Sequence, residues 1–215
     1  MKLTFKSEIL LIVLVLAAWV TGFYFYSIFP EQVPVHWNYA GQVDRLGSRL
    51  EGAFILPIVV TAMYLLFWLI PLIDTKKEKY QEFIKVYNLF RYLLIIIMWL
   101  IYLITSLSAL GYNIKVEIWV PLIIGLLFIL LGNYMGKIKP NWFMGIRTPW
   151  TLSNDEVWSK THRLGGKMFM LMGLFLILNP LLPFQSLTWA LIIPIVTVVL
   201  VPVIYSYIIF HKLKK

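Results

Sequence analysis

Residues 168–210 read MFMLMGLFLILNPLLPFQSLTWALIIPIVTVVLVPVIYSYIIF, an uncharged run about twice as long as one bilayer crossing requires. Asn179-Pro180, Pro183 and Gln185-Ser186 interrupt it near its middle, so the run is expected to cross, turn and cross again. Working back toward the N-terminus, residues 9–29, 52–73, 92–114 and 118–136 each approach or exceed the ~20 apolar residues of a spanning helix. Six crossings follow, and the fold class is an all-α, polytopic membrane protein. The composition agrees: 60% of the 215 residues are hydrophobic, 13% are charged, and the mean hydropathy is +0.82.

Lys and Arg accumulate on the cytoplasmic side of a membrane protein. Sixteen of the nineteen fall in the two termini and the loops around residues 76–91 and 137–167, against Arg45, Arg49 and Lys115 in the others. The bias predicts an N-in, C-in protein of the cell membrane, with an outer loop after the first span and an inner loop after the fourth. The net charge of +9 then reports topology and attraction to anionic membrane lipids, with no direct nucleic-acid partner implied. There is no cysteine, which excludes disulfides and thiol nucleophiles. The first span is too long for a removable signal peptide and is expected to stay in the mature protein. Two parts are expected: residues 1–91, with the outer loop, and residues 92–215, with the inner one.

The inner loop, GNYMGKIKPNWFMGIRTPWTLSNDEVWSKTHRLGGK over residues 132–167, gathers cations, carboxylates, three tryptophans and a histidine between apolar spans. Ser153 with Glu156 has the spacing of a capping box, and Leu152 with Val157 that of a hydrophobic staple. A short amphipathic surface helix is therefore expected, with Asp155, Ser159 and His162 on one face and Glu156 paired with Lys160. Gly165-Gly166 is expected to end or bend it. Gly132 and Gly136 have the GxxxG spacing of close helix contacts, and Asn133 between them is an amide placed to bond the turn.

The outer loop, PEQVPVHWNYAGQVDRLGSRLEG, alternates Val33, Val35 and Trp37, predicting a short extended segment folded as a cap, with turns at Gly41 and Gly47. His36 with Asp44 is one histidine and one carboxylate, too few for a zinc site, so no metal and no cofactor is expected. Residues 76–91 intersperse apolar side chains among charges and suit a connecting helix on the inner surface. Glu8, at the inner edge of the first span, is expected to snorkel or pair with Lys6.

Between the ends of the six spans there is no Asp, Glu, Lys, Arg or His. Ion-coupled transporters and intramembrane proteases place ionisable groups at depth. Zincin, Walker, Rossmann and nucleophile-elbow patterns are also absent, so no catalytic residue is assigned and the expectation is a protein that is not an enzyme.

PVHWNYAGQVDRLGS and the inner stretch together resemble the SdpI-like family of bacterial membrane immunity proteins, over nearly the whole chain. The outer motif falls on Pro34, His36, Trp37, Asn38, Gly41, Asp44 and Gly47. The inner one falls on Gly132, Asn133, Lys139, Asn141, Gly145, Arg147, Thr148, Pro149, Trp150, Thr151, Trp158, Thr161, His162 and Arg163. The resemblance implies a six-span protein that protects cells from a secreted peptide toxin and holds a cytoplasmic winged-helix autorepressor at the membrane when toxin is present.

The expected function is thus toxin immunity and reception. The candidate binding residues are Asn133, Lys139, Asn141, Arg147, Thr148, Trp150, Asp155, Trp158, His162 and Arg163 inside, with His36, Trp37, Asn38, Gly41 and Asp44 outside. The alternative is an enzyme or transporter acting on a lipid, peptide or small polar substrate at the inner face, with Asp155, His162 and Arg147 as working groups. The topology is testable in this cysteine-free chain. Single cysteines at Gln42, Tyr112 and Gln185 should label from outside intact cells, and those at Gln81, Ser153 and Leu213 should not. Labelling at Ser153 would reverse the orientation.

Overall fold

Pro57 and Pro71 interrupt the second span, and each leaves without its helical donor the carbonyl four residues earlier. In a bilayer that carbonyl has no water to turn to. The computed structural model, which describes residues 5–38, 40–181 and 188–213, shows both carbonyls taken by the third span. The Tyr102 hydroxyl donates to Ala53 O at 2.6 Å, and the Tyr87 hydroxyl donates to Phe67 O. Two prolines on one helix thus dictate two tyrosines on its neighbour.

The elements run α1 (Phe5–Ile28), β1 (Gln32–Trp37), β2 (Val43–Ser48), α2 (Arg49–Ile73), α3 (Tyr80–Ala109), α4 (Val116–Met135), α5 (Pro149–Ser153), α6 (Asp155–Leu178) and α7 (Thr188–Leu213). Six helices are long and apolar enough to cross a membrane, and this is a multi-pass membrane protein. Val13, Leu16, Val20 and Phe23 on α1, like Leu65, Leu66 and Leu69 on α2, stand exposed, as befits helices solvated by lipid. The hairpin lies at one end of the bundle. The 74–80 and 136–154 connections lie at the other, called here the basic end.

Apolar side chains alone do not hold α1 to α3. Trp19 Nε1 donates to Thr61 Oγ1 at 2.9 Å, and Trp99 Nε1 donates to Thr21 Oγ1 at 3.1 Å, so indoles and hydroxyls stitch all three helices. Near the basic end Arg91, 1% exposed, meets Glu8 through two parallel bonds of 2.8 and 2.7 Å. Arg91 is a partner that the sequence did not suggest for Glu8, while the Lys6 side chain lies outside those described. The fork geometry offsets the cost of taking both charges out of water.

Helices α4 and α6 meet through glycine. A Cβ on Gly132 would lie 2.5 Å from Gly166 O, and one on Gly166 would lie 2.5 Å from Gly132 O. Seven residues along, Gly125 and Gly173 repeat the arrangement, with 2.6 Å from a Gly125 Cβ to Gly173 O. Backbone therefore packs on backbone at two levels. Gly165-Gly166 does not end α6, which continues to Leu178; Gly166 serves this contact, and Gly165 faces the Ile146 and Met135 side chains. Gly136 is the residue that ends α4, and it faces Arg163.

Three further expectations change. The outer loop is a two-stranded antiparallel hairpin rather than a single extended segment, and Gly47 lies within β2 instead of in a turn. The 76–91 segment is not a separate surface helix. After a short 3-10 turn at Lys77–Lys79 it starts α3, and Tyr80, Phe83, Val86, Tyr87 and Phe90 are buried there. The break in the last apolar run begins as a 3-10 turn at Asn179–Leu181, while Pro183, Gln185 and Ser186 lie outside the described residues.

Tyr87→Phe should cost ~1–3 kcal/mol by orphaning the Phe67 carbonyl. In a Pro71→Ala background the restored amide at position 71 should accept that role, and the same change should cost under ~0.5 kcal/mol. Equilibrium unfolding of the four proteins in detergent gives the coupling; additive effects would refute the pairing.

Candidate functional site: the motif loops at the two ends

The 136–154 loop is built around Asn141, which is fully buried. Its Oδ1 accepts the Phe143 and Met144 amides at 2.9 and 2.7 Å. Its Nδ2 donates to Lys139 O at 2.9 Å and Met144 O at 3.1 Å. One side-chain amide thereby closes both sides of the turn, the work an Asx side chain does best. The loop is then tied to the other half of the chain by Asp74, 2% exposed at the end of α2. Asp74 Oδ2 accepts from the Tyr80 hydroxyl at 2.9 Å and from the Trp142 amide at 3.1 Å, and Oδ1 accepts the Lys76 amide at 2.7 Å.

Past the turn, Gly145 takes φ +107, a conformation side chains avoid, and a Cβ there would strike His162 Nε2. That clearance brings the Ile146 amide to within 3.0 Å of Nε2, while Nδ1 lies 2.9 Å from Trp158 O. Since Nε2 accepts from an amide, Nδ1 carries the proton and the ring is neutral. The ring stacks on Trp158, with centroids 4.0 Å apart, and Trp158 Nε1 donates to Ile138 O at 2.8 Å. Both side chains are buried.

The helix starts differ from expectation by a residue or more. The capping box is Thr148 with Thr151: the Thr148 amide donates to Thr151 Oγ1 at 2.8 Å and the Thr151 amide donates to Thr148 Oγ1 at 3.1 Å, with Pro149 at the first helical position. Thr148 Oγ1 also bonds Ser206 Oγ of α7 at 3.0 Å. The cap of α6 is Asn154, whose Oδ1 accepts the Glu156 and Val157 amides at 2.9 and 3.0 Å. Ser153 instead donates to Trp150 O. The expected Glu156–Lys160 pair forms, at 2.8 Å.

The inner candidates therefore divide. Asn141, Thr148, Trp158 and His162 are buried in the joint, and Trp150 packs edge-on against Tyr207. Asn133, Lys139, Arg147, Asp155 and Arg163 are exposed. Asn133 points outward from α4, and Asn141 holds the turn. Arg147 reaches back to Trp142 O at 2.6 Å. Sequence reasoning missed Asp74, Tyr80 and Ser206 as members of this joint, and placed Thr151 in the motif without naming it a candidate.

At the hairpin end Asn38 Oδ1 accepts the Ala40 and Gln42 amides at 2.9 and 3.0 Å, shaping the tip. Gly41, at φ +75, lies so close to Glu117 of α4 that any Cβ would strike its carboxylate. His36 and Asp44 pair at 2.6 Å but remain exposed, and Arg45 pairs with Glu51 at 2.6 Å. Among the described residues no group of three His, Cys, Asp or Glu side chains comes together. A cavity of about 290 Å³ lies beneath the hairpin, between Val33, Trp37, Leu56, Tyr102 and Val116. A second, of about 220 Å³, joins Trp37 and Asn38 to Val120 and Pro121 of α4 and to Leu176 and Pro180.

Over residues 137–206 the chain matches the model of the SdpI/YfhL protein family, and over residues 13–61 that of a domain of unknown function, DUF1648. It is 29% identical over 210 residues to the immunity protein SdpI of Bacillus subtilis (strain 168), covering 98% of this chain and 97% of that one. No solved structure matches the chain. The second segment contains the whole outer motif, and the first contains the inner one from Lys139 onward.

Asn154→Ala should cost ~1 kcal/mol, read as faster hydrogen exchange of the Glu156 and Val157 amides. Ser153→Ala, which removes no cap, should stay within ~0.5 kcal/mol.

Proposed function

We propose that this chain, which is of the SdpI-like family, is a membrane immunity protein that protects its cell from a secreted peptide toxin by binding, without catalysis. Its end-to-end similarity to a curated immunity protein carries this reading. The chemistry of the basic-end loop supports it. His162 has both ring nitrogens engaged by backbone, Arg147 is held by a backbone carbonyl, and Asp155 is exposed to solvent. The bonds that hold His162 and Arg147 are those of a structural joint, which supports binding over catalysis.

In this reading the termini and the basic end face the cytoplasm, as the Lys and Arg bias predicts, and the hairpin meets the toxin. The cavities beneath it are largely apolar, floored by Tyr102 and Val116, with Trp37 at both. They suit apolar side chains of an amphipathic peptide. The exposed Arg147, Arg163, Trp142 and Phe143 would contribute to the surface that a cytoplasmic repressor reads. For toxin to change that surface it must bind one arrangement of the helices more tightly than another.

Toxin-sensitive cells expressing the chain should survive challenge with purified toxin. Trp37→Ala should lower protection at unchanged membrane levels, and Asp155→Asn should leave it intact. Lost protection in Asp155→Asn at normal levels would instead favour an enzyme or transporter working at the basic end.

A further inference from the structure

A groove of about 960 Å³ opens at the basic end between α3, the end of α4 and the start of α6. Its polarity changes along its length. The mouth carries Lys79, Lys85, Lys137 and Lys139, opposed by only Glu82 and Asp155. Glu82 is shared at long range, 3.5 Å from Lys79 and 3.6 Å from Lys139. Lys137 leans over the Tyr134 ring, 4.6 Å from its centroid. The floor is apolar: Phe83, Val86 and Ile138 are buried there, and Trp158 forms its base. The far wall reaches Tyr134 and Leu89, the latter about 9 Å along α3 from the kink at Phe83.

We propose that this groove binds one anionic phospholipid of the surrounding membrane, with its phosphate among the lysines and the start of an acyl chain against Phe83, Val86 and Leu89. Two features select that occupant. The lysines outnumber the carboxylates by two, so the mouth favours a negative headgroup. The apolar floor joins Phe83, Val86 and Leu89 of α3 to Ile138 and Trp158, beside two of the helices long and apolar enough to span, so a ligand with an apolar tail behind a negative head fits it better than a water-soluble acidic peptide. Lys side chains at such a level keep their ammonium groups at the interface while their stems cover apolar surface. The lipid would pack on the Trp158 side of the 136–154 joint. It is separate from the cavities beneath the hairpin, and the proposal stands whatever the protein's function.

The test is made on the full chain purified in a neutral detergent. Native mass spectrometry and thermal unfolding are followed with added phosphatidylglycerol, phosphatidylcholine of the same chains, or inorganic phosphate. One retained phosphatidylglycerol and a raised Tm are expected, with little response to the other two additions. Lys79→Gln/Lys137→Gln/Lys139→Gln should weaken retention on the order of tenfold or more. Lys160→Gln, outside the groove, should not. Arginines at the same three positions should retain the lipid and serve as the control if the neutral variant folds poorly. Equal response to phosphatidylcholine, a full response to inorganic phosphate, or undiminished retention in the neutral variant would overturn the proposal. Displacement of the lipid by an acidic peptide at equal concentration would also do so, by making the groove a peptide site.

Discussion

A carbonyl that cannot reach water must find a donor, and in this protein that requirement fixes how α2 and α3 lie together. Pro57 and Pro71 withdraw two amides, and Tyr102 and Tyr87 replace them from across the interface. Two bonds at separate levels set the register and rotation of the pair, as one alone would not. Apolar contacts in a bilayer discriminate weakly between helix arrangements, since lipid is as good an apolar neighbour as leucine. Polar satisfaction supplies the discrimination. The same logic recurs where Trp19, Trp99 and the Arg91–Glu8 fork tie α1 to its neighbours.

Fixing α2 against α3 also places Asp74 beside Tyr80, and from there the basic-end loop is assembled. Asp74 receives the Trp142 amide, Asn141 closes the turn, and Gly145 lets the histidine of α6 take the Ile146 amide. The most distinctive loop of the second half thus depends on a carboxylate of the first. The hairpin makes the reverse connection, since Gly41 rests on Glu117 and Trp37 and Asn38 border a cavity shared with Pro180. Glycine then joins α4 to α6 so closely that a methyl group at Gly132 or Gly166 would collide with backbone.

Six spans were legible because long apolar runs are a strong signal, and the split of residues 168–210 followed from its prolines. The site was less legible because its parts are distant in sequence. Asn141 stood out in the motif, yet its role depends on contacts of the loop backbone that no spacing reveals. Asp74 drew no reading in the sequence, where it stands beside a basic run, and only the fold buries it. His162 read as a working group because charged residues surround it in sequence, whereas in space it faces an amide and a tryptophan ring. The cap fell on Asn154 rather than Ser153 because both residues satisfy the same local preference. A signal was available for the α2–α3 pairing: two prolines fourteen apart on one span and two tyrosines fifteen apart on the next, antiparallel one.

Strand β2 runs into α2 with no intervening linker, Ser48 closing one and capping the other, and α2 ends at Asp74. The strand that Arg45 and Glu51 clasp to the helix is therefore continuous with a helix about 37 Å long. Its other end holds the Trp142 amide. Such a member behaves as a connecting rod. A rigid-body tilt of α2 at the hairpin would displace Asp74 at the opposite surface, and the half-exposed Trp142 would receive it.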